Sequence, residues 1–531
     1  MYSGLEDSRR WVLVEALAEH ARLRPDAEWL TDSDGASLGF GQAWSDARRV
    51  ASFLDALGVA PGDRVAVFMG SGCDFVRAWL GLGVRGAVGV LVNTELRGAF
   101  LLHQLQDCRA AVMVVDAALL PAVAEVADRL AHLRVVVVVG QPTVVTPPAW
   151  RVEEWGVFAR HAEWTGPGPG PADIACVMYT SGTSGPSKGV LMPHAHCALY
   201  GVGAIRCLQL TPQDRYYISL PLFHANGLLM QLGATLLAGI PAFVRRRFSA
   251  SRWLSDVRAS RATVTNFLGA TAAFVITQPP TPHDADHALR AVMPAPNLPE
   301  HDHAFRTRFG VRDVVSGFGM TEVNIPVWGR LGRPAPGAAG WCHEDHFEVR
   351  IADPDTDQAM PWGQVGEIQV RPKVPFGFMA GYLDAPDKTV EAWRNLWFHT
   401  GDAGTLDASG LLSFVDRIKD CIRSRGENIS AAEVEAVVGD VPGVAEAAAY
   451  AVPSDVPGGE DEVMIALVPV PGADVDARAV LREVSERLPR FARPRYVKVL
   501  DALPKTATGK VQRAVLRKQG TSGATDLDER G

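Results

Sequence analysis

The sequence lacks any paired arrangement of cysteines. Its seven cysteines are scattered, odd in number and never spaced as CxxC. Such a distribution excludes a disulfide framework and the common structural zinc sites. It is typical of a protein that works in a reducing compartment, and we therefore expect a cytoplasmic location.

Charge of one sign and long apolar runs are also missing. The net charge is −8, with acidic and basic residues mixed along the chain, so nothing favours binding to nucleic acid or to an anionic membrane. Apolar runs such as Val135 to Val139 are far too short to cross a bilayer. Residues Met1 to Asp7 have no basic region followed by an apolar one, as a secretory signal would. We expect no stable insertion into a membrane.

The first third of the chain alternates short apolar runs with amphipathic segments. The apolar runs include residues 64–69, 87–92, 110–115 and 134–139, and the segments between them have helical spacing. Short apolar strands separated by helices of this length are typical of parallel sheets that are covered on both faces. Because 531 residues exceed what one core normally holds, the sequence predicts at least two domains.

The second half of the chain has a different sequence pattern. From about residue 337, strand-like pieces are separated by Gly and Pro turns, which indicates an antiparallel, partly barrel-like subdomain. Residues 417–515 have the pattern of a small α+β unit, and residues 516–531 have the composition of a disordered tail. The predicted fold class is α/β: a large N-terminal domain of layered α/β sheets with the β subdomain, residues 1–416, and a small mobile α+β C-terminal domain, residues 417–515.

One stretch stands out chemically, residues 179–190, which read Tyr-Thr-Ser-Gly-Thr-Ser-Gly-Pro-Ser-Lys-Gly-Val. It follows an apolar strand-like run and contains three glycines, five Ser/Thr hydroxyls and Lys188. Glycine lets backbone N–H groups turn toward an anion, hydroxyls add donors, and lysine adds a point charge. The segment from Thr180 to Lys188 is therefore a candidate phosphate-binding loop.

This loop does not follow the common ATPase pattern, which needs glycine directly before the lysine and Ser or Thr directly after it. Here Ser187 precedes Lys188 and Gly189 follows it. Taken alone, the composition is more typical of a mobile Gly/Ser loop. The other motifs of the chain decide between the two interpretations.

Six further motifs follow the loop in order. They are Pro221-Leu222-Phe223-His224-Ala225-Asn226-Gly227, Gly317-Phe318-Gly319-Met320-Thr321-Glu322, Trp397-Phe398-His399-Thr400-Gly401-Asp402, Asp416-Arg417-Ile418-Lys419-Asp420, Arg425-Gly426-Glu427-Asn428 and Pro504-Lys505-Thr506-Ala507-Thr508-Gly509-Lys510. Together with the loop, they resemble the adenylate-forming superfamily of acyl-CoA synthetases, carrier-protein adenylation domains and beetle luciferases. The resemblance covers about residues 10–515.

The resemblance implies a two-step reaction. A carboxylate attacks the α-phosphorus of ATP to give an acyl-AMP and pyrophosphate, and the thiol of coenzyme A then takes the acyl group. The loop would hold the β- and γ-phosphates, Phe318 would stack on adenine, Asp402 would bind the ribose hydroxyls, and Arg417 would touch ribose or phosphate. Mg²⁺ would be held by Glu322 with help from Thr180. The nucleotide site implied in this way consists of Thr180, Ser181, Gly182, Thr183, Ser184, Gly185, Lys188, Phe318, Gly319, Met320, Thr321, Asp402 and Arg417.

The small domain carries the remaining implied roles. Lys510 would bridge the α-phosphate and the substrate carboxylate, although a lysine near a C-terminus is normally a solvated surface charge. Lys419 falls at the hinge about which relatives rotate the small domain after adenylation. Gly426 would then line the pantetheine tunnel, where a side chain would obstruct the thiol. The implied catalytic set is Lys510, Thr180, Glu322 and His224.

The acyl pocket is implied less sharply. Its candidate residues are His224, Asn266, Gly269, Val323, Asn324 and Ile325. His224 has a second interpretation, a packed histidine at the start of a helix. Val323 and Ile325 are apolar, whereas Asn266 and Asn324 have amides that can meet a polar substituent, so aryl, medium-chain and carnitine-like acids all stay open.

The sequence as a whole predicts an ATP-dependent, AMP-forming acid–CoA ligase that acts on a small-molecule carboxylic acid. No carrier-protein motif follows residue 515, so we expect free CoA as the acceptor and a monomer or homodimer as the working form. One alternative is a stand-alone adenylating enzyme that passes the acyl-AMP, or an unusual adenylated acid, to a carrier protein or another nucleophile. A remoter alternative is a non-catalytic nucleotide-binding relative, against which the intact Lys510 argues.

Overall fold

The computed structural model describes residues 1–142, 144–180, 186–417, 421–456, 459–473, 475–485, 487–505 and 511–527. Three of the sequence predictions fall outside these ranges: the loop residues Ser181–Gly185, the hinge residue Lys419 and the catalytic lysine Lys510. For Arg417 the description covers only the backbone.

The alternating first third of the chain builds an eight-stranded sheet. Six of its strands run parallel, because helices return the chain between them. Valine-rich strands such as Val135–Val139 suit this sheet, since a strand covered on both faces has no polar side. In spatial order the strands are Gly381–Tyr382, Lys188–Pro193, Ile174–Thr180, Val88–Leu91, Arg64–Phe68, Val112–Asp116, Val135–Val139 and Arg151–Glu154.

A second sheet of seven strands has the same construction. Its strands are parallel except for the edge pair Glu28–Asp32 and Ser37–Gly39, which is antiparallel. The two parallel sheets confirm the layered α/β architecture predicted for the large domain. In spatial order the strands are Asp313–Val314, Ala291–Ala295, Val264–Leu268, Tyr216–Ile218, Ala242–Val244, Glu28–Asp32 and Ser37–Gly39.

The third sheet is antiparallel throughout, as its Gly and Pro turns predict. It carries two of the sequence motifs, at Gly317–Met320 and in Phe398–Leu406. In spatial order its seven strands are Gly317–Met320, Asn324–Trp328, Gly340–Cys342, Leu411–Arg417, Phe398–Leu406, Gly366–Pro372 and Phe347–Ala352.

The small C-terminal domain begins with a hairpin of Cys421–Ser424 and Glu427–Ser430. A four-stranded sheet follows, made of Val444–Val452, Glu462–Pro469, Tyr496–Val499 and Thr525–Asp526. The last of these strands corrects the prediction of a disordered tail from residue 516. It pairs with Tyr496–Val499, and the Arg495 guanidinium holds the Asp526 carboxylate at 3.1 Å. The local composition of the tail gives no sign of this long-range pairing.

The helices cover the sheets and close the gaps between them. Among the described residues, no helix is both long and apolar enough to cross a membrane. One π-helix, Asn226–Leu232, continues directly into Gly233–Ala238. The α-helices are Leu13–Leu23, Phe40–Ala56, Cys73–Arg85, Gly98–Cys108, Leu120–Ala124, His194–Leu208, Gly233–Ala238, Ala250–Ser260, Gly269–Ile276, Pro299–Thr307, Pro386–Ala392, Ala431–Gly439, Ala477–Ser485 and Arg513–Lys518.

A single apolar cluster joins the two domains. It includes Phe68 and Leu101 of the first sheet and its helices, and it continues into Ile429 and Val434 of the small domain. Burying apolar surface between the domains is the main force that holds them together in this arrangement. The small domain therefore lies with its hairpin against the first sheet.

Candidate active site

The two ends of the phosphate loop meet in the first sheet. Thr180 ends one strand, Lys188 begins the next, and the two residues are directly opposite each other in the antiparallel register. A hairpin of this kind holds both ends of a loop in place. Both side chains line a cavity of about 540 Å³ that extends between the sheets.

Glu322 lies on the wall of this cavity and is only 3% exposed. Its Oε1 accepts hydrogen bonds from Thr180 Oγ1 and from the Tyr382 hydroxyl, each at 3.0 Å. Burial and the Glu322 carboxylate together raise the pKa of Tyr382 far above its usual range, so the hydroxyl stays protonated and donates. Glu322 Oε2 is buried and has no hydrogen-bond partner among the described residues.

A cation would fit next to this oxygen. An unpaired buried carboxylate oxygen is costly unless something neutralises it, and carboxylate oxygen is a preferred ligand of Mg²⁺. Within the described part of the chain, no three His, Cys, Asp or Glu residues cluster as a complete metal site. Mg²⁺ is commonly held by one or two carboxylates together with substrate phosphates, and the neighbouring Thr180–Lys188 loop suits that mode.

Lys188 and Tyr382 are also in contact. The Lys188 ammonium lies 4.2 Å from the centre of the Tyr382 ring, a cation–π distance. The ring therefore helps to keep the ammonium at the edge of the cavity. Tyr382 was not found from the sequence, because its role depends on the edge strand Gly381–Tyr382 pairing with the strand that follows the loop.

The motif at residues 317–322 contributes mainly backbone to the cavity. Gly319 and Met320 line the cavity, and a side chain at Gly319 would come within 2.1 Å of the Asn324 carbonyl oxygen, which explains the glycine. Phe318 is 8% exposed, packs in the hydrophobic core and is not among the residues that line the cavity. Its stacking on adenine stays a prediction.

Asp402 lies on the cavity wall, 6% exposed, in the middle of the third sheet. Its backbone pairs with that of Arg417 on the next strand. Glu367 lies on the other neighbouring strand and holds the residues just before Asp402 in place. One of its carboxylate oxygens accepts from Gly401 N at 2.9 Å, and the other contacts His399 Nδ1 at 2.6 Å. Glu367 is a positioning residue that sequence reasoning missed, because the strand Gly366–Pro372 also carries Gln369 and Arg371 and its sequence gives no sign that this acid is buried.

His224 connects the large domain to the small one. Its Nε2 lies 2.7 Å from Glu427 Oε1, and the same oxygen accepts from Asn93 Nδ2 at 2.9 Å. Burial lowers the pKa of His224, but the charge and hydrogen bond of Glu427 outweigh burial, so the pKa is raised overall. The histidine is 34% exposed on its side chain and lines the cavity, so it is not simply a packed core residue.

Gly426 is a residue of the small domain that lines the cavity. It sits at the tip of the hairpin with φ of +83°, and a Cβ there would come within 2.6 Å of Leu268 Cδ1. Its backbone N–H donates to Glu460, which also pairs with Arg423 at 3.0 Å. Only glycine meets both the backbone angle and the close packing at this position.

Part of the predicted acyl-pocket set lies at the cavity and part lies behind it. His224 and Ile325 line the cavity. Asn266 and Val323 are fully buried outside its lining, and Gly269 is buried against Pro296. Asn324 uses its amide to hold the His196 carbonyl oxygen at 2.9 Å and is 1% exposed. Further residues that line the cavity beside these are Leu220, Asn226, Met230, Leu268, Met293 and Ala295.

Comparison with known proteins agrees with this geometry. The family model of the AMP-binding enzyme matches residues 17–383, and that of the AMP-binding enzyme C-terminal domain matches residues 433–510. The chain is 34% identical over 444 residues to a medium/long-chain-fatty-acid–CoA ligase of Mycobacterium marinum, covering 82% of each chain. It is 32% identical over 520 residues to the sulfoacetate–CoA ligase of Cupriavidus necator, covering 95% of this chain and 97% of that one.

A solved structure has the same overall arrangement. The o-succinylbenzoate CoA synthetase of Bacillus subtilis, bound to a product analogue, superposes with a TM-score of 0.81 at 26% identity. The match covers 95% of this chain and 98% of that one.

Proposed function

Since the chain belongs to the AMP-binding enzyme family, we propose that it is an acyl-CoA synthetase, which activates a carboxylic acid with ATP and transfers the acyl group to coenzyme A. One observation carries the proposal. A single cavity is lined by Thr180, Lys188, Glu322 and Asp402 from three parts of the large domain and by Gly426 of the small domain. Anion-binding, nucleotide-binding and thiol-approach groups thus converge on one space.

In the first step, a carboxylate oxygen of the substrate forms a bond to the α-phosphorus of ATP. The bond from that phosphorus to the bridging oxygen breaks, and pyrophosphate leaves with the electron pair. No protein base is needed, because the nucleophile is already an anion; the site must neutralise phosphate charge and align the reactants. Lys188 and the loop suit the departing phosphates, and Asp402 suits the ribose hydroxyls.

Mg²⁺ would be held by Glu322, with Thr180 beside it. Glu322 Oε2 supports this assignment, because it is buried, without a hydrogen-bond partner among the described residues, and next to the loop. The ion would supply charge neutralisation on the phosphate oxygens. Tyr382 and Thr180 orient the carboxylate through Oε1 and leave Oε2 directed away from them.

In the second step, the sulfur of CoA attacks the carbonyl carbon of the acyl-AMP, and AMP leaves as the phosphate monoester. The contact between His224 and Glu427 fastens the hairpin of the small domain at the cavity, where Gly426 leaves room beside Leu268. This arrangement suits the thiol-transfer half of the reaction. We propose that the small domain, residues 417–515, turns at Lys419 relative to residues 1–416 and that Lys510 serves the first step.

We propose the cytoplasm as the site of action. The scattered, odd set of seven cysteines fits a reducing compartment.

Pyrophosphate release by the purified protein tests the proposal. The assay combines ATP, Mg²⁺ and a panel of short, medium-chain, long-chain, aryl and polar acids, each with and without CoA, and mass spectrometry identifies the products. Formation of AMP together with an acyl-CoA is the expected result. Pyrophosphate release without a CoA ester would instead indicate a carrier protein or an amine as acceptor, and the absence of any release across the panel would overturn the proposal.

A further inference from the structure

The relatives include ligases for medium- and long-chain fatty acids and for the strongly polar sulfoacetate, so similarity alone does not decide which type of acid this chain activates. The acyl side of the cavity contains a feature that discriminates between them. Its wall is largely apolar, with Leu220, Met230, Leu268 and Ile325, but Asn226 interrupts it. A role for this asparagine in selecting the acid rests on the proposed function.

The π-helix Asn226–Leu232 determines what surrounds Asn226. Its turn is wider than that of an α-helix, so residues five apart come to the same side. Gln231 Nε2 accordingly donates to Asn226 Oδ1 at 3.1 Å. Gln231 is fully buried and holds this contact from within the core.

A second donor reaches the same oxygen from the parallel sheet. Asn266 Nδ2 donates to Asn226 Oδ1 at 3.1 Å, and the Tyr216 hydroxyl donates to Asn266 Oδ1 at 2.7 Å. Both Tyr216 and Asn266 are fully buried. The chain of contacts therefore fixes which end of each amide faces which neighbour.

The reverse orientation of these amides is unfavourable. It would leave the Tyr216 hydroxyl hydrogen and the Gln231 amino group buried without acceptors among the described residues. Buried donors without partners carry a substantial free-energy cost. The observed orientation leaves only the Gln231 Oε1 carbonyl oxygen unpaired, and an unpaired carbonyl is tolerated better than an unpaired donor.

This orientation of the amides determines the state of the remaining polar group, Asn226 Nδ2. With Oδ1 held by two donors, the amino group has no hydrogen-bond partner among the described residues, and Asn226 is a partly buried wall residue of the cavity. We propose that Asn226 Nδ2 is a specificity-determining donor and that the substrate is a carboxylic acid with a hydrogen-bond acceptor oxygen in its acyl part. An unsubstituted alkyl chain would cover this donor without pairing it.

Matched pairs of acids test the proposal. Octanoic acid is compared with its mono-oxo analogues, and ethylbenzoic acids are compared with the methoxybenzoic acids of the same substitution pattern. Each pair has nearly the same shape and differs in one acceptor. We expect kcat/KM for pyrophosphate release to favour at least one acceptor-bearing acid over its partner by about 10- to 100-fold, the value of one buried hydrogen bond and the penalty for leaving it unmade.

Asn226→Asp is the decisive variant. It keeps an oxygen for the donors on Gln231 and Asn266 but replaces the donor facing the cavity with an acceptor. The preference for the oxo or methoxy acid should disappear. Asn226→Leu should have the same effect and raise the rate with the alkyl acids, so the test does not depend on one variant folding.

Two further variants separate specificity from general damage. Met230→Leu changes an apolar wall residue on the same turn and should leave the preference intact. Tyr216→Phe removes the hydroxyl that orients Asn266, so Tyr216 acts as a positioning residue. Its loss should weaken the preference by raising KM for the acceptor-bearing acid alone, whereas a merely structural defect would affect both members of a pair.

The outcomes distinguish this proposal from the one it rests on. If acids are activated but every alkyl acid equals or exceeds its acceptor-bearing partner, the proposed function stands and this inference is wrong. The same conclusion follows if Asn226→Asp leaves the ratio unchanged. If no acid of either kind releases pyrophosphate, both proposals fall.

Discussion

At the scale of single residues, the proposed Mg²⁺ ligand Glu322 is a buried carboxylate whose two oxygens differ. It is 3% exposed, Oε1 accepts hydrogen bonds from Thr180 and Tyr382, and Oε2 has no hydrogen-bond partner among the described residues. Both donors bind the same oxygen, so they fix the orientation of the carboxylate. A residue that merely stabilised the fold would have both oxygens satisfied.

Glu322→Gln should therefore reduce pyrophosphate release by about 100-fold or more, because a neutral amide replaces the charge that the proposed Mg²⁺ needs. The measurement is kcat as a function of Mg²⁺ concentration. We expect the variant to need far more Mg²⁺ or to stay inactive at every concentration.

Tyr382→Phe is the matched control. It removes one hydrogen bond to Oε1 and leaves Oε2 unchanged, so we expect a loss of about 10-fold or less. Equal losses in the two variants would contradict the role assigned to Oε2.

At the scale of elements, the hairpin of Cys421–Ser424 and Glu427–Ser430 presents its tip to the cavity. Gly426 needs its positive φ, and its N–H is held by Glu460 within the small domain. Placing any side chain there strains the backbone by about 1 to 2 kcal/mol and presses on Leu268. The pressure on Leu268 acts only when this hairpin is docked at the large domain, whereas the backbone strain is present in either position.

Gly426→Ala should accordingly slow acyl transfer to CoA by about 10- to 100-fold while pyrophosphate release changes little. Single-turnover assays that follow pyrophosphate and acyl-CoA separately measure the two halves. Gly439→Ala is the matched control, since nothing lies within 4 Å of a Cβ at that position. A proportional loss in both halves would contradict the assignment of Gly426 to thiol transfer.

At the scale of the whole molecule, the two domains are joined by an apolar cluster and by the polar contacts of Glu427. The pKa of His224 is lowered by burial and by the Arg423 guanidinium, but the Glu427 carboxylate raises it more. Since the raised pKa belongs to the docked state, protonated His224 stabilises docking. This contribution is complete below the ordinary pKa of 6.5 and is lost as pH rises through the raised value.

Glu427→Gln should abolish this pH dependence and lower the pKa of His224, which NMR titration of the imidazole measures directly. Docking itself is followed by hydrogen exchange of the 421–430 hairpin across the same pH range. Asp286→Asn is the control, because it removes a carboxylate 2.7 Å from another histidine, His283, without touching the domain contact. An unchanged His224 titration in Glu427→Gln would contradict the proposed coupling.

Binding of AMP should raise the unfolding temperature of the protein by a few degrees. A ligand at a hundredfold excess over Kd adds roughly 2.7 kcal/mol to the free energy of unfolding. Asp402→Ala should remove the shift, because Asp402 is the wall residue assigned to the ribose hydroxyls.

Asp407→Asn provides the comparison for this measurement. Asp407 follows the same strand but is exposed, and its carboxylate accepts hydrogen bonds from Ser409 and Leu411 of its own turn. It should change the unfolding temperature of the free protein without changing the shift. A shift retained in Asp402→Ala would place the nucleotide elsewhere.

The sequence by itself determined the fold class and the family. Alternating apolar runs predict layers of parallel strands and helices, because the periods of strands and helices are local properties of the sequence. The ordered motifs indicate the family, because the functional residues of each motif lie within a few positions of one another. Thr180, Lys188, Glu322, Asp402, His224 and Gly426 were all identified in this way, and the structure brings them to one cavity.

Only the tertiary structure decided which other side chains contact these residues. Tyr382 and Glu367 are separated from their partners Glu322 and His399 by tens of residues, and the contacts depend on strand register. Sheet pairing also places Asp526 in a strand and tertiary packing buries Phe318 in the core, neither of which composition reveals. The role proposed for Asn226 depends on Gln231 and Asn266, which donate hydrogen bonds to its Oδ1. Which polar group of a side chain lacks a partner is known only once its neighbours in the folded chain are known.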